Sequence, residues 1–352
     1  MSTITRASSN RRGVNRRSFL MSAGAAAGIA LLSGSRARGA EHGGAHGAAH
    51  GAAHEHGGHL TRGDIDILRF LAAAELFEAD AWNQYNELAS GNPAFMEALE
   101  NIDEDNPDYI DQNSVNEDSH HSFINAFLES HGAEPVNLDA FRTLPSSDAT
   151  GAADIGRLTN LMQLTVDTSW YNRYKSSGNP DLGDTFPQVL EIVDRPAIPL
   201  HDGYSDNQIQ AIADTAQWHF PMIEQGGASL YIAMAGNSHV PVTLNIVSSI
   251  GGAEAAYYSL WRDVLSNLVP VDSGDGLVFH TPPDPEDVLP SPCAFLSDDL
   301  PPCSIIRPSS VELAGAQAAL EFHTNTGLFI GQSQKFFDVM KELAQRADRA
   351  NG

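Results

Sequence analysis

The chain has 352 residues, enough for one elaborated domain or two modest ones. Its 20 Lys and Arg residues are outnumbered by 45 Asp and Glu residues, which gives a formal net charge of −25. A chain this acidic repels phosphate backbones, so the composition argues against nucleic acid as a partner.

The N-terminus, residues 1–40, has the features of an export signal. Two arginines precede Phe-Leu in the stretch NRRSFLM, the apolar run MSAGAAAGIALLSG follows, and small residues stand near Gly39 and Ala40. This order is typical of a twin-arginine signal that is cleaved around Gly39 or Ala40. The apolar run is too short and too rich in Gly and Ala for a good membrane span. We therefore expect a periplasmic or secreted protein without a transmembrane segment after signal removal; a retained amphipathic anchor is the alternative.

Residues 41–62 form a His-rich segment of low complexity, with histidines at positions 42, 46, 50, 54, 56 and 59. The glycines between the histidines disfavour a helix. We interpret the segment as a flexible tail that binds divalent metals weakly. A solvated linker without metal is an equally good alternative.

The remainder of the chain is predicted to be all-α. Residues 63–270 show long helical patterns separated by Pro, Gly and Asn clusters, and strand signals are sparse. Residues 271–352 are expected to form an irregular, Pro/Asp-rich extension with a terminal helix, in which Cys293 and Cys303 form a disulfide worth about 2–3 kcal/mol. The predicted helices are A at 64–90, B at 113–131, an intervening helix at 154–176, C at 206–235, D at 242–268 and a last helix at 330–349.

Acidic residues interrupt the inward-facing stripe of each of the helices A to D. In helix A, Glu75 and Glu78 stand in a stripe that runs from Leu68 to Tyr85 in steps of three and four residues. A carboxylate buried without a partner is strongly disfavoured, and these helices hold few basic residues. A shared cation is the simplest compensation. The candidate metal ligands are Glu75, Glu78, Glu117, His120, Glu224 and Glu254.

Residue types and spacing both suit a transition metal. Glu117 and His120 are three residues apart, so they project from one face of helix B. Oxygen and imidazole ligands suit iron or manganese. Inward Glu and Glu-x-x-His ligands on four helices are typical of dinuclear carboxylate bundles, so two Fe or Mn ions are the expected cofactors.

The chain resembles a ferritin-like domain, of the branch that includes exported bacterial ferritin-like proteins and desiccation-related proteins. The resemblance is carried, in chain order, by AELFEADAWNQY, EDSHHSFINAFLESHGAEPV, IEQGGASLYIAMAGN and GAEAAYYSLWRDVL. It implies a ferritin-like four-helix bundle with a long B–C crossover. In relatives the first-helix glutamate stands seven residues before an aromatic; Glu75 with Trp82 is the favoured match and Glu78 with Tyr85 the reserve.

Helix D departs from the pattern of the family. The resemblance implies Glu-x-x-His there, but Tyr257 stands where the histidine is expected after Glu254. Three interpretations stay open. Tyr257 is a phenolate ligand of an asymmetric site, a redox-active or hydrogen-bonding group beside the ligands and hence a catalytic candidate, or the sign of a decayed site.

Two functions follow from the resemblance. The first is redox chemistry with O2 or peroxide at the dinuclear site, as an oxidase, a ferroxidase or a catalase-like enzyme, with a small-molecule oxidant or a metal ion as partner. The alternative is a non-enzymatic stress or desiccation-related envelope protein with a degenerate metal site. Iron storage in a shell is disfavoured because the long extensions would obstruct the packing of many subunits.

Overall fold

The computed structural model describes residues 59–173, 187–282, 292–305 and 311–350, and long helices dominate it. The predicted all-α class is confirmed. The predicted signal and the His-rich segment up to residue 58 lie outside the described residues. Predicted helices A, B, C and D correspond to α1 (Arg62–Gly91), α3 (Asn106–Ser130), α5 (Asp206–Ala235) and α6 (Pro241–Leu265), and α2 (Pro93–Glu100) lies between the first two.

Capping residues define where two of the long helices begin. Before α1, the Asp64 backbone N–H donates to Thr61 Oγ1 at 3.1 Å, and the Thr61 N–H donates to Asp64 Oδ2 at 3.2 Å. Ser205 and Gln208 make the same reciprocal pair at the start of α5. Such capping boxes satisfy N–H groups that have no partner inside the helix. They thereby fix the first helical residue of α1 and α5, and with it the side chains that face inward.

The long helices pack as two antiparallel pairs, α1 with α3 and α5 with α6. Across the first pair, Asn86 Nδ2 donates to Asp111 Oδ1 at 3.0 Å and Ser114 Oγ donates to Asn83 Oδ1 at 2.8 Å. The inward stripes of all four helices are buried together. Fully buried members of this core include Leu68, Leu71, Trp82, Ile124, Phe220, Val247 and Trp261.

The connection from α3 to α5 contradicts the predicted helix at 154–176. Most of that range is extended or irregular. It contains β1 (Leu164–Val166), which pairs antiparallel with β2 (Ile192–Arg195), and the four-residue helix α4 (Trp170–Arg173). Buried Asp80 of α1 explains part of the difference, because it accepts 3.0 Å hydrogen bonds from the backbone N–H groups of Leu158 and Thr159. Those donors are used by a side chain and are therefore not available to a helix.

The C-terminal extension packs back onto the bundle. The predicted last helix is present as α9 (Gln334–Asp348), whose buried face lies against α1 and includes Phe336, Met340 and Ala344. Within the described ranges, no helix combines the length and the apolarity needed to cross a membrane. The other elements are a short 3₁₀ helix (Asp139–Phe141), β3 (Val271–Asp272) paired with β4 (Val278–Phe279), β5 (Pro292–Cys293) paired with β6 (Cys303–Ser304), α7 (Val311–Ala314) and α8 (Ala316–Asn325).

The predicted disulfide is wrong. Cys293 and Cys303 are free thiols, although they are opposite each other in the β5–β6 pair. Cys293 is buried and Cys303 is exposed, so the two side chains lie in different environments. A disulfide needs the two Cβ–Sγ bonds to converge, which closeness of the backbones alone does not provide.

Distant parts of the chain meet at the N-terminal end of α1. The backbone N–H of His239, in the α5–α6 turn, donates to Asp64 Oδ1 at 3.0 Å, and His239 Nε2 is hydrogen-bonded to the carbonyl of Ala350 just after α9. Gly63 approaches the same carbonyl so closely that a β-carbon there would lie 2.7 Å from it. The start of the bundle is therefore held by segments synthesised much later.

Candidate metal centre

A first group of ligand atoms surrounds His120 in the middle of the bundle. His120 Nδ1 lies 3.0 Å from Glu117 Oε2, 3.2 Å from Glu75 Oε2 and 3.6 Å from Glu254 Oε1. Glu117 and His120 reach the same point because three residues make almost one turn of α3. One ligand atom from each of the four residues lies within 4.8 Å of all the others, which is the arrangement needed to bind one ion.

A second group adjoins the first and shares one residue with it. Ligand atoms of Glu78, Glu224 and Glu254 also lie within 4.8 Å of one another. Glu254 of α6 belongs to both groups, so its carboxylate would be shared between two bound ions. The structure also brings Glu78 into the cluster beside Glu75. Helix α1 therefore contributes a carboxylate to each group.

The cluster is dry and has unpartnered oxygens. Glu75, Glu117, Glu224 and Glu254 have no exposed surface, and Glu78 is 8% exposed. In the described part of the chain, Glu78 Oε1, Glu224 Oε2 and both carboxylate oxygens of Glu254 have no hydrogen-bond partner. Buried carboxylate oxygens without donors are the groups that a divalent cation would satisfy. The cluster therefore fits a pair of hard or borderline metal ions in both charge and ligand type.

Burial and mutual repulsion control protonation in the metal-free cluster. Burial, followed by the negative charges of neighbouring carboxylates, raises the pKa of four glutamates well above the ordinary value. These are Glu78, Glu117, Glu224 and Glu254. Without a cation the folded protein therefore favours the protonated forms of these side chains, and metal binding would release protons.

His120 responds to the same charges in the opposite sense. Burial lowers the pKa of His120, but the hydrogen bond and charge of Glu75, with the charges of Glu254 and Glu78, raise it to about 9. In the metal-free site the imidazolium form of His120 is therefore favoured at neutral pH. With 12% of its side chain exposed, it is also the most accessible of the six candidate ligands.

Asn113 connects ligands from two helices and was missed by the sequence analysis. Its Nδ2 donates to Glu117 Oε1 at 3.1 Å and to Glu224 Oε1 at 2.9 Å. Its Oδ1 accepts a 3.0 Å hydrogen bond from Trp261 Nε1 of α6. Asn113 therefore orients one carboxylate of each group. The available signal was its position four residues before Glu117, on the same face of α3.

Two aromatic residues, each seven positions after a cluster glutamate, line the interior next to the cluster. Tyr231, seven residues after Glu224, donates a hydrogen bond to Glu75 Oε1. Trp82, seven residues after Glu75, stacks on Trp261 with ring centroids 5.4 Å apart. These rings exclude water from the cluster, and Tyr231 also satisfies the carboxylate oxygen of Glu75 that does not face His120.

Tyr257 lies beside the cluster and is half-buried. Burial, followed by the negative charges of Glu117, Glu224 and Glu254, raises the pKa of Tyr257, while a hydrogen bond with Asn116 opposes the shift. In the metal-free site Tyr257 is therefore a neutral phenol within electrostatic range of both groups.

Comparison with known proteins gives a family match that spans most of the bundle. A family model described as Ferritin-like domain matches residues 63–267, which include all six candidate ligands. No curated protein and no solved structure matches the chain.

Proposed function

This chain belongs to the ferritin-like domain family, and on that premise we propose that it binds two iron or manganese ions and uses them in redox chemistry with O2 or a peroxide. The single observation that carries the proposal is the sharing of Glu254 between two groups of ligand atoms. When bound, iron or manganese supplies one-electron redox chemistry and polarises an oxygen-containing oxidant.

The two ion positions differ in their ligands. Glu75, Glu117 and His120 serve the first position, Glu78 and Glu224 serve the second, and Glu254 joins them. The first position combines imidazole with carboxylates, whereas the second has carboxylates alone. An ion in the second position therefore lacks a neutral nitrogen ligand and is expected to exchange faster.

The residues around the ligands have separate tasks in this proposal. Asn113 orients Glu117 and Glu224, and Tyr231 orients Glu75. Tyr257 supplies a phenol O–H near both positions, where it can donate a hydrogen bond or a proton to a bound oxidant. We assign it this role rather than that of a ligand because burial, followed by the negative charges of Glu117, Glu224 and Glu254, raises the pKa of Tyr257 and so favours the neutral phenol.

We also propose that residues 1–40 direct export by the twin-arginine route to the periplasm or the medium. The order of paired arginines, apolar run and small residues supports this. Since that route carries folded proteins, metal would be bound before export. The His-rich segment that follows the signal would act as a weak additional metal binder.

A non-enzymatic stress protein with a degenerate site is the second candidate. The observation that favours it is the tyrosine at position 257, which leaves the second ion position without an imidazole from α6.

Metal content distinguishes the two candidates. The measurement uses a variant that folds in the cell and has serine in place of the six tail histidines. The tail of this variant does not add to the bound metal. We expect two Fe or Mn ions per chain. Glu254→Gln should lose the ion at the second position and bind the ion at the first position more weakly, and Glu78→Gln should affect the second position alone. Exposed Glu100→Gln is the control and should keep two. Metal well below one ion per chain, with no consumption of O2 or peroxide, would support the stress protein.

A further inference from the structure

We propose that Gly227 of α5 and Gly251 of α6 are positioning residues that interlock the two helices and determine how many ions the site holds. The inference rests on the proposed function for its metal readout. It also has a consequence for packing that is independent of any metal. Each glycine lacks a side chain at a point where a side chain of the other helix lies. Glu254 of α6 lies beside Gly227, and Tyr231 of α5 lies beside Gly251.

Gly227 makes room for the carboxylate of Glu254. A β-carbon on Gly227 would lie 2.5 Å from Glu254 Oε2, 3.2 Å from Cδ and 3.4 Å from Cγ. Carbon and oxygen atoms that are not bonded do not approach to 2.5 Å, so the carboxylate occupies the position that a side chain at 227 would take. Any larger residue at 227 therefore requires Glu254 to turn away from the point where the two ligand groups meet.

Gly251 has the reciprocal role for Tyr231. A β-carbon on Gly251 would lie 2.6 Å from Tyr231 Cβ and 3.3 Å from its Cγ. Since a Cβ atom cannot rotate away, relief of this contact requires the helices to separate. Tyr231 donates its hydrogen bond to Glu75, so the separation would also move a ligand of the first position. Gly227 of α5 thus faces Glu254 of α6, and Gly251 of α6 faces Tyr231 of α5.

Each inward glycine has a neighbouring glycine that points elsewhere. A β-carbon on Gly226 or on Gly252 would meet no neighbouring atom of the described chain within 4 Å. Replacement by alanine at either member of a pair changes the intrinsic helix preference equally. Gly226→Ala and Gly252→Ala are therefore matched controls for Gly227→Ala and Gly251→Ala. They add the same methyl group, but it points away from the contact between the two helices.

The effect on the two ion positions is unequal. If Glu254 turns away, the first position keeps Glu75, Glu117 and His120, whereas the second keeps only Glu78 and Glu224. The variant Gly227→Ala is therefore expected to bind one ion per chain in place of two. Affinity at the second position should fall at least about tenfold, a loss typical of disturbed ligand positioning.

The first experiment measures Mn²⁺ binding by calorimetry and elemental analysis. It uses the full chain with serines at the six tail histidines. The parent and Gly226→Ala should bind two ions, and Gly227→Ala should bind one. Two ions with unchanged affinity in Gly227→Ala, or an equal loss in Gly226→Ala, would overturn the inference and leave the proposed function standing. A parent that binds no Mn²⁺ or Fe²⁺ would instead overturn the proposed function.

The second experiment tests the interlock without metal and still applies if Gly227→Ala folds poorly. In metal-free protein, Gly227→Ala should lower the unfolding temperature by at least about 3 °C. In a Glu254→Ala background the added methyl group enters the space that the carboxylate has left. The same change should then leave the unfolding temperature constant or raise it. Equal shifts in both backgrounds would show that Gly227 and Glu254 do not share that space.

Discussion

The side-chain amide of Asn113 on α3 donates a 2.9 Å hydrogen bond to Glu224 Oε1 on α5. Asn113 also donates to Glu117 and accepts from Trp261, so three helices are tied together at one amide. Groups that orient metal ligands in this way contribute to metal affinity without touching the ion.

Asn113→Ala should therefore weaken metal binding by about 10–100-fold, because Glu117 and Glu224 lose a shared donor. A chelator competition titration with Mn²⁺ measures the change. Gln112→Ala, at an exposed position on the same helix, is the control and should bind like the parent. An affinity of Asn113→Ala within about twofold of the parent would contradict the orienting role.

Substitutions at Tyr257 test whether its phenol is a ligand. Tyr257→Phe should keep two ions per chain, since burial and three nearby carboxylates keep the phenol neutral. Tyr257→His should increase affinity at the second position by about tenfold, because an imidazole loses its proton far more readily than a phenol. The Fe³⁺-loaded parent should show no phenolate-to-iron absorption band in the visible range. Such a band, lost in Tyr257→Phe, would show that Tyr257 coordinates iron.

The metal-free protein should lose stability as the pH rises from about 7 to 8.5. Four cluster glutamates have a raised pKa, so the folded state holds protons that the unfolded state has released. Stability falls with pH wherever the folded state binds more protons than the unfolded state. His120, with a pKa of about 9, and buried Asp214, with a pKa of about 8, act in the same direction.

Urea unfolding of the metal-free protein at several pH values measures this trend. Burial lowers the pKa of His219 to about 3 and that of His323 to about 4, so these two act in the opposite sense, but only below the ordinary histidine pKa. Above pH 7 the change of stability with pH therefore reflects the cluster and Asp214 without a contribution from these two histidines. Asp214→Asn should reduce in part the slope of the free energy of unfolding against pH. Saturating Mn²⁺ should abolish the contribution of the cluster to that slope. A stability that rises between pH 7 and 8.5 would contradict the assigned protonation states.

Asp80→Ala should destabilise the protein by about 3 kcal/mol, because two buried backbone N–H groups and Arg142 lose their acceptor. Arg142 Nη1 lies 2.6 Å from Oδ1 of buried Asp80, and Arg142 Nε lies 3.4 Å from Oδ1 of exposed Asp139. Asp139→Ala is therefore a control that removes a surface ion pair on the same arginine, with an expected loss below about 1 kcal/mol. Denaturant unfolding of both variants compares them. Equal losses would show that the crossover does not depend on Asp80.

The candidate ligands could be predicted from the sequence because the helical period alone decides which residues share a face. Steps of three and four residues placed Glu75 and Glu78 on one stripe, and both lie in the cluster. The resemblance favoured Glu75 and kept Glu78 in reserve, whereas the structure places one of them in each group of ligand atoms. Asn113 was missed because an amide is not among the carboxylate and imidazole ligands expected for iron or manganese. Its role appears only where two helices meet.

The crossover and the cysteines were mispredicted for a common reason. The backbone donors of Leu158 and Thr159 are satisfied by Asp80, about 80 residues earlier, and local pattern contains no information about such a contact. Cys293 and Cys303 are close along the chain and across a strand pair, but their side chains lie in different environments. In both cases the outcome depends on three-dimensional contacts that spacing along the chain does not encode.

The contact of α9 with α1 has a consequence for the order of events during biosynthesis. Gly63 and Asp64 leave the ribosome well before their partners, because His239 lies 175 residues after Asp64 and Ala350 follows later still. The face of α1 that α9 covers therefore stays uncovered until α9 has been synthesised. A chaperone that shields this face of α1 in that interval would increase the yield of native protein.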